Sequence, residues 1–202
     1  MSTRPSKTSA GVHDLRVRAR ACRICPNLPL GPRPLFQASP SSKVLIAGQA
    51  PGSKTHEKGI TFDDPSGNRL REWMGVGWDT FYDANQIAVL PMGFCYPGTG
   101  SSGDLPPRSE CAPAWRKEFL TYMTDVKLTI IIGRFARDWH LPDRQKESLT
   151  KTIQDWQTLA PKIIALPHPS PRNNRWLKQN PWFAKDVLPM LRTRVADCLG
   201  SV

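Results

Sequence analysis

Between Lys43 and Gly67 the chain reads KVLIAGQAPGSKTHEKGITFDDPSG, and no other stretch limits its folding choices so strongly. Val44-Leu45-Ile46-Ala47 is a short unbroken apolar run of the kind that forms a buried strand. It breaks at Gly48-Gln49-Ala50-Pro51-Gly52 and passes through a polar loop ending in Phe62-Asp63-Asp64. Helical spacing follows from Asn68 to Val76, closed by Gly75-Val76-Gly77. A strand, a glycine turn and a helix in this order bring backbone N–H groups and a few side chains to the strand's carboxyl end. Ligands of open α/β sheets bind there. Taken alone, the stretch also fits an ordinary strand-to-helix loop.

The rest of the chain repeats the alternation. Apolar strands are expected at Ile87–Pro91, Leu128–Ile132 and Lys162–Leu166. Helices are expected at Val12–Ala21, Ala112–Thr124, Arg134–Trp139, Glu147–Trp156 and Pro181–Leu199, the last with proline at its first position. Gly93 to Arg108 reads as a long loop. Strands alternating with helices predict an α/β fold: a three-layer αβα sandwich around a central, mostly parallel four-stranded sheet. The 202 residues suit one domain over residues 10–202, with residues 1–9 as a flexible tail.

Composition narrows the partners. No apolar run reaches membrane-spanning length and no signal-peptide core is present, so the expectation is a cytoplasmic protein without a membrane partner. The net charge of +11 favours a polyanion, nucleic acid first, although a generally basic protein would carry the same charge.

Four of the five cysteines fall as Cys22-x2-Cys25, Cys95 and Cys111. Disulfides are not expected in the cytoplasm, which leaves a metal centre or unrelated thiols. Four thiolates suit an iron–sulfur cluster, and Cys25-Pro26 matches the Cys-Pro ending of ferredoxin-type runs. Zinc remains the alternative, although its sites usually close with a second tight pair. Cys198, in the last helix, reads as a packing residue.

A second loop, Pro167-His168-Pro169-Ser170-Pro171, follows the last strand. Together with Gly48-Gln49-Ala50-Pro51-Gly52, Phe62 and the four cysteines, it makes the chain from about Ala21 to Leu191 resemble the uracil-DNA glycosylase superfamily. The cysteine pattern resembles its iron–sulfur branches, families 4 and 5. The resemblance implies a 4Fe-4S cluster on Cys22, Cys25, Cys95 and Cys111. It also implies Phe62 stacking on a flipped uracil, and His168 in the second motif. Two departures mark an atypical branch. Gln49 and Ala50 stand where other branches carry an acid, and Ala88 to Met92 lack the usual base-reading Asn. Family 5 also lacks the motif acid and is thought to use an Asp just after the aromatic, which points to Asp63 and Asp64.

The implied chemistry is hydrolysis of the bond between base and deoxyribose by a monofunctional, monomeric enzyme. Its partner is DNA containing uracil, another deaminated base or an abasic site. His168 would stabilise the departing base, or else serve as a structural loop histidine. Asp63 or Asp64 would hold water, while one of them could instead cap the following helix. Gln49 and Ala50 would meet the base edge, and Phe62 would offer a stacking face or simply fill core. Gly52, Ser53, Lys54 and Ser170 would hold phosphates. Arg172, Asn173, Asn174 and Arg175, followed by Trp176, would probe the minor groove or form an exposed turn. His56 is expected at a phosphate or in solvent, with His13 and His140 structural. Two alternatives remain: a protein that binds uracil or abasic DNA with little turnover, and a zinc-bearing nucleic-acid protein of another fold.

Overall fold

The computed structural model describes residues 9–101 and 103–200. The expected tail therefore falls, from residue 1 to 8, outside the described residues. Among the described residues six strands form: β1 (Val44–Ala47), β2 (Ile87–Val89), β3 (Thr99–Gly100), β4 (Gly103–Asp104), β5 (Leu128–Ile132) and β6 (Ile163–Leu166). Four of them make one sheet in the order β2-β1-β5-β6, with every pairing parallel. β3 and β4 pair antiparallel with each other.

Successive side chains on a strand point to opposite faces, so an unbroken apolar run must be covered twice. Val44, Ile46, Ile87 and Val89 pack with Leu70, Trp73, Leu191 and Val195 of the helices Pro65–Met74 and Leu188–Leu199. Leu45 and Ala88 pack with Val12, Leu15 and Phe119 of the helices Ser9–Arg20 and Lys117–Tyr122. This is the expected three-layer sandwich. The outer edge of β2 is closed by Gln37, whose backbone exchanges bonds of 2.9 and 2.8 Å with Val89. No helix among the described residues is long and apolar enough to cross a membrane.

The main departures from the predicted elements are short ones. Helices Ser53–Lys58, Trp78–Tyr82 and Asn174–Gln179 and the β3–β4 hairpin lie where no regular element was expected. Each is too short to show an apolar period and depends on tertiary packing for its stability. The helices expected from Ala112 and Pro181 both contain a π-helical stretch, at Ala112–Arg116 and Phe183–Val187.

The first π turn places Arg116 in the interior with 0% exposure. It donates to the carbonyls of Leu90 and Pro91, just past β2, and to His140 Nε2 at 2.7 Å. A guanidinium only donates, so the imidazole must accept and stay neutral. Burial, with Arg116 adding to it, pushes His140 down to about 4. The unfolded chain takes up this proton near 6.5, whereas the folded chain resists until about 4. Stability should therefore fall as pH drops through that window, with His140 contributing on the order of 3 kcal/mol. Denaturant melts at pH 7 and 4.5 should show the loss. His140→Gln, which keeps an acceptor but does not titrate, should show less of it, and an identical pH dependence would remove His140 from the account.

Candidate active site

An open cleft of about 520 Å³ lies beyond the carboxyl ends of β1, β2 and β6. Its walls come from Gly48–Thr55 after β1, from Thr61, Phe62 and Asp64, from Val89 and Pro91, from Asp104, and from His168, Ser170, Arg172 and Asn173 after β6. The two sequence motifs, far apart in the chain, therefore face one space. Where the resemblance implied a base-reading Asn, the wall is Val89 and Pro91.

Phe62 is held in an uncommon backbone state, φ 57°, in the left-handed region that non-glycine residues seldom occupy. Its carbonyl accepts from Arg71 Nη1 at 3.2 Å, and the neighbouring Thr61 carbonyl accepts from the Tyr82 hydroxyl at 2.9 Å. Gly67 passes directly beneath: a Cβ there would lie 1.6 Å from the Phe62 oxygen. The ring meets Phe81 edge-on, with centroids 6.1 Å apart, and its tip would lie 3.8 Å from a Cβ on Gly48. The aromatic is thus fixed over the glycine turn before any ligand arrives.

The two acids after Phe62 differ. Asp64 lines the cleft and caps the helix Pro65–Met74, its Oδ1 accepting from Gly67 N at 2.8 Å. Asp63 is paired with Lys58 Nζ at 3.0 Å and is not among the lining residues. A third carboxylate, Asp104 on β4, lines the cleft and was missed from the sequence. Its only signal was a Gly-Asp pair inside a turn-rich loop, which does not separate a site from a turn.

His168 lies exposed at the cleft mouth, so its desolvation comes from the surrounding walls rather than from full occlusion. That desolvation lowers its pKa, and Arg172 lowers it further, while Asp64 and Asp104 pull the other way. Its Nδ1 accepts from Ser170 N at 3.2 Å, which leaves the proton of the neutral ring on Nε2. Asn173 Nδ2 holds the His168 carbonyl at 2.7 Å.

The other expected site residues are placed as follows. Gln49 donates through Nε2 to the Leu105 carbonyl at 3.0 Å, and Ala50 presents a methyl group to the cleft. Gly52, Ser53 and Lys54 line the cleft where the helix Ser53–Lys58 begins. Ser170 Oγ caps the short turn Pro171–Asn173. Asn174 accepts from Arg69 at 2.9 Å; neither it nor the exposed Arg175 lines the cleft. Trp176 turns inward against Trp182 and Phe183, so it does not project from the loop. His56 is buried at 8% exposure beside Tyr96, away from solvent.

The cysteines correct an expectation. Cys22, Cys25, Cys95 and Cys111 border one small cavity of about 20 Å³, walled also by Ile24, Leu28, Phe94 and Trp115. Yet among the described residues no group of three or more Cys, His, Asp or Glu is arranged to hold a metal ion. Neither the 4Fe-4S cluster nor zinc fits, and the iron–sulfur subtype falls with them. The physical reason is visible in the sulfurs. Cys22 Sγ accepts from Trp115 Nε1 at 3.3 Å and Cys111 Sγ from Phe94 N at 3.2 Å. Burial pushes the Cys95 and Cys111 thiols up to about 11 and about 12, so with no metal bound they stay protonated. The N-terminal segment is tied to the 93–108 loop by Arg108, whose Nη2 donates to the Pro26 carbonyl at 3.1 Å. Cys198 is buried in the core, the packing role expected of it.

Gly67→Ala should be among the most damaging single changes. Its Cβ cannot coexist with the Phe62 carbonyl unless the backbone moves, and overpacking of this severity costs roughly 3 kcal/mol or more. Thermal unfolding and the near-ultraviolet circular dichroism of the aromatic cluster would measure it, and an unchanged melting temperature would show that the loop is soft.

The family model that matches this chain spans residues 36–192, well over half of its length, and is described as the Uracil DNA glycosylase superfamily. The match takes in both cleft loops and Phe62 and begins after Cys22 and Cys25. With its paired loops facing one cleft on a parallel sheet, the chain belongs to the uracil-DNA glycosylase superfamily.

Proposed function

We propose that this chain is a DNA repair glycosylase that hydrolyses the N-glycosidic bond of uracil, or another deaminated base, in DNA and leaves an abasic site. Superfamily membership supports the general role. The observation that carries the finer reading is the sharing of one cleft by a pre-set aromatic, Phe62, and a neutral histidine, His168, that bears its proton on Nε2. The target base must leave the stack before its sugar carbon is reachable. Phe62 receives its face, and the first loop borders its edge. As the bond breaks, negative charge gathers on the base, and an Nε2–H donor is the group that stabilises it. Asp64 favours the cationic sugar left behind.

Phosphates on either side are met by Ser53, Lys54, Ser170 and Arg172, with Arg175 just outside the cleft. The reading includes action as a monomer in a cytoplasmic setting. Binding of uracil or abasic DNA with little turnover is the second reading. It is favoured by the first motif, where Gln49 is tied to Leu105 and Ala50 has no polar group. Single-turnover incubation with uracil-containing duplex, followed by alkali, separates the two: strand breaks at uracil support hydrolysis, and bound but intact DNA supports the alternative.

His168→Ala should lower the cleavage rate on the order of a hundredfold while DNA binding is kept. The rate needs the neutral ring, and the folded pKa lies below the ordinary 6.5, so activity should persist as pH falls past 6.5 and fail only further down. An acid limb at or above 6.5 would contradict the assignment. Arg172→Ala should weaken DNA binding and reduce the salt slope by about one. An unchanged slope would take Arg172 off the phosphate.

A further inference from the structure

We propose that Asp104, on the β3–β4 hairpin, holds and deprotonates the attacking water. This rests on the glycosylase reading above and supplies the acid that the first motif lacks. Of the three nearby carboxylates, Asp63 is paired with Lys58 and does not line the cleft, and Asp64 commits Oδ1 to the Gly67 amide. Asp104 lines the cleft and has no ion-pair partner among the described residues. Its Oδ2 sits at the start of the first motif's helix, 3.3 Å from where a Cβ on Gly52 would be. A side chain at position 52 would therefore crowd this oxygen.

A hydroxyl also lies beside the carboxylate. Thr99 Oγ1 lies 3.5 Å from Oδ1, and the same hydroxyl shares a 2.5 Å hydrogen bond with the hydroxyl of the buried Tyr96. Arg172 packs over Gly103, where its Nη1 would lie 2.5 Å from a Cβ, so the hairpin and the His168 loop meet at the cleft mouth. The charge of Asp104 reaches His168, one of the two carboxylates that raise its pKa. A carboxylate acceptor in the same cleft as the donor to the leaving group is the arrangement that hydrolysis requires.

The step balances. The electron pair of the bond between the sugar carbon and the base nitrogen leaves with the base, and His168 Nε2–H donates a hydrogen bond to the resulting anion. Water supplies a new pair to the sugar carbon, and its proton passes to Asp104. The base takes up a proton from solvent on release, and Asp104 returns its own.

The test combines single-turnover cleavage of uracil-containing duplex with an NMR titration of His168. Asp104→Asn should lose about a hundredfold in rate with DNA binding kept. It should also lower the His168 midpoint, because a negative charge nearby is gone. Asp104→Glu, which keeps the charge, should recover at least about tenfold over Asn and guards against a folding defect in the amide variant. Cleavage by Asp104→Asn at the parent rate, or an unmoved His168 midpoint, overturns the assignment to Asp104 alone. A parent protein that cleaves no uracil overturns the glycosylase reading, and this step with it.

Discussion

Everything at the cleft depends on the backbone pairing of β1. The strand lies between β2 and β5, all four of its residues are buried, and its pairing does not stop where the strand ends. Leu90 N donates to the Ile46 carbonyl, Met92 N to Gly48 at 2.8 Å, and Gly93 N to Gln49 at 2.9 Å. The first motif loop is therefore an extension of the sheet rather than a free connection. Phe62 rests over its glycine, and the hairpin loop is held to it by Gln49. A slip of one residue in β1 would invert its faces and displace every wall of the cleft together.

Arginine holds the irregular parts in place. Twenty prolines leave the chain with long stretches that lack N–H donors, so many loop carbonyls have no backbone partner. Arg33 donates to the carbonyls of His56 and Glu57, Arg71 to Phe62, Arg108 to Pro26, Arg116 to Leu90 and Pro91, and Arg137 to Glu147. A guanidinium offers five donors in one plane and can satisfy several carbonyls at once. Part of the +11 charge is thus structural, and only the remainder faces an outside polyanion.

That division qualifies what charge and spacing say. The basic balance did point to nucleic acid, but counting Lys and Arg cannot tell Arg116, which is buried, from Arg172, which borders the cleft. Cysteine spacing has the same weakness. Cys22, Cys25, Cys95 and Cys111 do come to one cavity, yet two of the sulfurs accept hydrogen bonds from Trp115 and Phe94, and the set has no ligating geometry. Proximity in the fold is not convergence of lone pairs on one point.

The sequence by itself determined the parallel sheet, because unbroken apolar strands alternating with helical segments have few other ways to bury both faces. It also determined that the Gly48–Gly52 and His168–Ser170 loops would lie at one edge, since both follow strands of that sheet directly. That one of the two acids after Phe62 could cap the following helix was legible too, but not that it is Asp64. Only the tertiary structure decided which acids reach the cleft. Asp63 and Asp64 are neighbours in the chain, but a lysine holds one and the cleft receives the other. Asp104 arrives from a two-residue strand with no periodicity to announce it. Local pattern sets which way a strand or helix faces, whereas the hairpin that carries Asp104 is set by contacts with Gly52 and Arg172, which no short window of sequence contains.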